Sequence, residues 1–127
     1  MKRILSALAL VTLTLVAVNA PAVGQPAKAA AKTMTLKGEV VDLGCYLGHG
    51  ARGADHKSCA TECIANGMPF GLLTANGKLY LLTMNHDNSD PYNKCKDLAA
   101  ETVVVSGSVV QRNGLIAVEV ADVKSAK

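Results

Sequence analysis

Residues 102–123 read TVVVSGSVVQRNGLIAVEVADV, and this stretch decides the fold. From Thr102 to Gln111, Val103, Val105, Gly107 and Val109 fall on every second position, the period of a strand with one buried face. Asn113-Gly114 reverses the chain, and Leu115 to Val123 resumes the alternation with Ile116, Val118 and Val120. A second hairpin precedes this one. Phe70 to Thr74 and Lys78 to Met84 are apolar, β-favouring runs joined across Asn76-Gly77, which predicts a type I′ turn.

Between the hairpins, Asn85 to Asp90 is polar and turn-like, and Pro91 suits the first position of a short helix through Ala100 that turns Leu98 inward. Upstream, Thr33 to Val41 sets Met34, Leu36, Gly38 and Val40 against Thr35, Lys37 and Glu39, which predicts strand one. Gly44, Gly48, Gly50 and Gly53 then predict a loop that wraps closely. Asp55 reads as the N-cap of a helix of roughly three turns through HKSCATECIAN, stopped by Gly67 and blocked by Pro69. The predicted class is mainly β: a five-stranded OB-fold-like Greek-key barrel, with one short helix between strands one and two and another between strands three and four.

This order resembles the bacterial periplasmic OB-fold proteins, small exported domains of a signal peptide plus one barrel. The likeness covers about Thr33 to Val123 and is carried by Leu36-Lys37-Gly38-Glu39-Val40-Val41 and by Val103-Val104-Val105-Ser106-Gly107-Ser108-Val109. It implies a binding surface made of the loop between strands one and two, the loop between strands four and five, and the face of strands two and three. The family pattern has no cysteine-rich insertion between strands one and two, and here this chain departs from it.

The N-terminus reads as an export signal. Met1, Lys2 and Arg3 precede the apolar run Ile4 to Val18, about fifteen residues, shorter than the roughly twenty that cross a bilayer. No stable membrane anchor is expected. Ala22-Val23-Gly24 offers small residues for cleavage, so residues 1–24 are the predicted signal peptide and Gln25 the first mature residue. Residues 25–32 read as a flexible tether and residues 33–127 as one domain, periplasmic or secreted. Removal of Lys2 and Arg3 leaves 11 Lys and Arg against 10 Asp and Glu, a near-neutral protein with scattered charge, which argues against a nucleic-acid partner.

Chemistry concentrates in one segment. Cys45, His49, His56, Cys59 and Cys63 fall within nineteen residues of a chain holding four cysteines and three histidines. On a helix, positions 56, 59 and 63 share one stripe, and Cys45 with His49 can fold over it. Thiolates with imidazole suit copper or zinc, whereas calcium and magnesium want oxygen. Disulfides fit equally well, because exported domains of this size are commonly stapled. Cys45 with Cys59 or Cys63 is then the first pair to draw, and Cys95 completes a second bridge. His86 reads as a surface histidine, and Met68 and Met84 as core filler. No catalytic motif stands out, so a binding protein rather than an enzyme is expected, its partner a metal ion or small ligand. In the non-metal reading, the face around Phe70, Leu72, Tyr80 and Leu82 takes a small molecule, an oligosaccharide or an envelope protein.

Overall fold

The computed structural model describes residues 32–126. The predicted signal peptide, residues 1–24, lies outside the described residues, as does the predicted tether except Lys32, which already belongs to the first strand. β1 (Lys32–Asp42), β2 (Phe70–Thr74), β3 (Leu79–Met84), β4 (Thr102–Arg112) and β5 (Leu115–Ser125) close into a barrel in the order β1-β2-β3-β5-β4. β3 and β5 run parallel, and the other neighbours run antiparallel. A parallel pair needs a crossover. Here it passes through α3 (Asp90–Asp97), with Pro91 in its first turn, and then β4. This is the OB-type arrangement expected from the element order.

Closure turns the alternating apolar face of every strand inward. Val40, Leu72, Leu82, Val103, Val105, Val118, Val120 and Val123 are all buried in one cluster, against which Leu98 packs from the end of α3. Tyr92 of α3 lays its ring 4.9 Å from that of Phe70. Pairing slips between Ser106 and Gly107, which face Asp122 and Val120, so Ala121 is the extra residue of a bulge. At this bend a Cβ on Gly107 would run into the Glu119 carbonyl, which is why a glycine interrupts the valines of β4.

The two hairpins turn differently. Asn113 and Gly114 both have positive φ, 49° and 84°, the type I′ geometry. At the other, only Gly77 is left-handed, with φ 80°. The Gly77 amide donates to the Thr74 carbonyl, and Thr74 and Lys78 pair across a three-residue loop. The expected type I′ turn is absent because Asn76 serves through its side chain, its Oδ1 accepting from the Thr74 hydroxyl at 2.6 Å.

Two further expectations fail for reasons of placement. Phe70, Leu72, Tyr80 and Leu82, the face offered for a ligand, are at most 5 % exposed because barrel closure puts them inside. Met68 and Met84, expected as core filler, stand on the outside at 37 % and 42 % exposure.

Candidate metal centre

The insertion between β1 and β2 is more regular than its glycines suggested. Asp42 ends β1 opposite Phe70 in an extended conformation, and its Oδ1 accepts the amide of Cys45 at 2.8 Å. That is an N-cap. It starts α1 (Leu43–His49) where a loop was expected, and Gly50, left-handed at φ 69°, ends it. Two of the four glycines therefore lie inside the helix. The Met68 thioether lies across one of them, Gly44, where a Cβ would come within 2.7 Å and push that side chain aside. Leu43 donates its amide to the Pro69 carbonyl at 2.9 Å, so the insertion is tied together at its two ends.

After Gly50 the chain turns back, and the Gly53 amide donates to the Glu39 carboxylate. A 3-10 turn, Ala54–His56, follows, with Gly53 rather than Asp55 at its N-cap. α2 (Lys57–Ala65) begins only after it and has no side-chain cap. Asp55 is thus not the cap predicted for this helix. The helical spacing does not extend back to His56 either. Within α2, Ala60 and Ile64 are buried in the core, and Cys59 and Cys63, each one position earlier, stand toward the surface.

Among the described residues, two groups of potential ligands form, and they share one sulfur. Cys45, Cys59 and Cys63 bring their Sγ atoms within 4.8 Å of one another. Cys59 lies at the middle, 4.0 Å from Cys45 and 4.0 Å from Cys63. A disulfide needs about 2.0 Å, so all four cysteines are free thiols. An ion bound about 2.3 Å from each of three sulfurs holds them roughly 3.8–4.0 Å apart. Two of the three sulfur spacings match that separation, and the third lies within 4.8 Å.

The second group is Asp42, Cys45 and His56. Asp42 is the one buried charged side chain among the described residues, at 0 % exposure, and its Oδ2 meets His56 Nε2 at 3.0 Å. Burial works against its ionised form, but the Cys45 amide and the His56 ring together hold its carboxyl below the ordinary value. The Cys45 thiol is pushed up to about 12, by desolvation first and then by the neighbouring Asp42 and Cys59. Desolvation and Cys59 raise Cys63 as well. Without a cation Cys45 and Cys63 thus favour the neutral thiol; a cation would take the place of their protons.

Of the predicted ligands, three cysteines converge and His56 joins them through Cys45. His49 falls in neither group and sits exposed in the last turn of α1. His86 is exposed in the turn before α3. Cys95 is no partner for a second bridge, being fully buried in the core, where desolvation lifts its thiol to about 11. Asp42 escaped the sequence reading. The available signal was an aspartate three residues ahead of a cysteine at a strand end, meaningful only if a helix follows. Comparison with protein-family models and with curated proteins returns no match to this chain.

Proposed function

We propose that the protein is an exported binding protein that carries one soft or borderline metal ion, copper or zinc, on Cys45, Cys59 and Cys63, with His56 as the neighbouring nitrogen donor. The carrying observation is the 4.0 Å spacing of Cys59 from both other sulfurs, which matches ligands of one ion and no disulfide. Sulfur donors favour copper and zinc over oxygen-seeking cations. Export rests on the signal-like start at Met1 to Gly24 and on the resemblance to periplasmic OB-fold proteins. No helix among the described residues is long and apolar enough to cross a membrane.

Reduced protein kept free of oxygen should bind about one Cu(I) or Zn(II) per chain in the presence of a competing chelator. Thiolate-to-metal absorption should rise with Cu(I) until that ratio, and protons should be released on binding. Cys59→Ser and Cys63→Ser should each abolish stoichiometric binding, whereas His86→Ala should leave it intact. Equal binding by the cysteine variants, or none by the native chain, would overturn the metal reading. Thiols that resist alkylation until reduced would hand the segment back to disulfides. For export, a fusion of Met1 to Ala27 to a reporter active only outside the cytoplasm should be active.

A further inference from the structure

The two ligand groups that meet at Cys45 differ in chemistry. Cys45, Cys59 and Cys63 offer sulfur alone, whereas Asp42, Cys45 and His56 offer one oxygen, one sulfur and one nitrogen within 4.8 Å of one another. Asp42 Oδ2 stands 3.0 Å from His56 Nε2. Oxygen and nitrogen ligands of one zinc ion, each about 2.0–2.1 Å from it, lie roughly 2.9–3.4 Å apart at bond angles of about 90–110°. That edge of a coordination shell is already at ligand spacing. A sulfur ligand of the same ion sits roughly 3.5 Å from the other two donors, so the Cys45 thiol has no more than about 1.3 Å to close. The carboxylate is also oriented as a ligand is, since Oδ1 accepts the Cys45 amide at 2.8 Å and Oδ2 is left facing the ring. Charge points the same way. Three thiolates and one carboxylate carry four negative charges, of which one Zn(II) balances two and a second Zn(II) the rest.

We propose that the insertion holds a second metal site, for a borderline divalent ion such as Zn(II), formed by Asp42, Cys45 and His56, with the Cys45 sulfur bridging it to the ion on Cys45, Cys59 and Cys63. The proposal rests on the metal reading and assigns His56 to the second ion. Cu(I) prefers sulfur and belongs to the first site, whereas Zn(II) can fill both. The second ion binds at least about tenfold more weakly than the first, because it joins a charge already in place and shares a sulfur with it. A competing chelator therefore leaves only the first.

Equilibrium dialysis of the reduced, oxygen-free native chain against Zn(II), with no chelator, should reach two ions per chain in two resolved steps. Asp42→Asn keeps a capping side chain for α1, and His56→Ala leaves the cap untouched. Each should stop at one ion with the first step nearly unchanged, while His49→Ala and His86→Ala should keep both ions. Circular dichroism of the variants should match the native chain, and if Asp42→Asn fails to fold, His56→Ala decides. Zinc-edge X-ray absorption should show a sulfur-dominated shell at one equivalent, joined by nitrogen and oxygen at two. A native chain that stops at one ion would overturn the proposal and leave the first site standing. So would a second ion retained in both Asp42→Asn and His56→Ala, one lost in His49→Ala or His86→Ala, or a shell unchanged between one and two equivalents. A native chain that binds no Zn(II) would instead sink the metal reading.

Discussion

The barrel and the insertion between β1 and β2 are held by different physics, and the four cysteines show it. Cys95 is fully buried among barrel-core residues such as Val120 and Val123, and acts as a small apolar side chain. In the insertion Cys59 is exposed and Cys45 and Cys63 are half-buried, and only Ala60 and Ile64 of this segment sink into the core. The insertion is fixed instead by polar ties: Asp42 to Cys45 and His56, Glu39 to Gly53, Leu43 to Pro69. A barrel specified by burial can carry a segment whose thiols serve no packing purpose. That separation is what frees them for chemistry, and each prediction below can break it.

The largest effect belongs to the barrel. Val105 is 0 % exposed at the middle of β4, paired with Leu36 on one side and Val123 on the other. Val105→Asp should bury an unpaired charge at a cost of several kcal/mol, comparable to the whole stability of a domain this size. Loss of the cooperative thermal transition in circular dichroism is the expected result. Retention of the native melting temperature would mean that the barrel interior is not what specifies the fold.

Much of the barrel was legible from residues alone, since a period of two across β4 and β5 and an Asn-Gly turn between them leave few other structures open. The turn at Asn76-Gly77 was not, because side-chain hydrogen bonds from Asn76 compete with the left-handed backbone that the dipeptide usually adopts. In the insertion, density alone marked Cys45, Cys59 and Cys63 as a group. Which residues neighbour them could not be read. His56 was assigned to the α2 stripe by helical spacing, but a 3-10 turn intervenes and sends it to Asp42. Asp42 itself becomes visible only once α1 exists, and four glycines in ten residues argued against α1. A local cap from Asp42 and a left-handed Gly50 bound that helix, and Asp42 is further tied to His56 fourteen residues on.

A middle effect separates the buried thiol from the others by pH. Desolvation raises Cys95 from 9.0 to about 11 in the folded chain. Its folded pKa exceeds its unfolded one, so stability is fully present below pH 9 and drains away as pH rises toward 11. The loss amounts to about 3 kcal/mol by linkage. Cys95→Ala should be less stable than the native chain at pH 7, because it leaves a small void. Urea melts of both proteins, kept reduced, should show that gap shrinking or reversing by pH 11. A gap that stays constant across this window would mean Cys95 is wet and the core is not closed around it.

The smallest effect is expected at Cys59, the central sulfur of the metal centre. Its side chain is exposed on α2, makes no contribution to the barrel cluster, and meets the other two sulfurs at 4.0 Å. Removing it from the metal-free, reduced protein takes away two weak S–H···S contacts and little buried area. Alanine is also the better helix former by a few tenths of a kcal/mol. Cys59→Ala should therefore change the unfolding free energy by no more than about 0.5 kcal/mol in either direction, the range of ordinary surface substitutions. Urea denaturation with a chelator present measures it. A loss above about 1 kcal/mol would show that the three thiols cohere without an ion and brace α1 against α2. The insertion would then be packed by the same logic as the barrel, and the place of its sulfurs outside the core would no longer set them apart for binding.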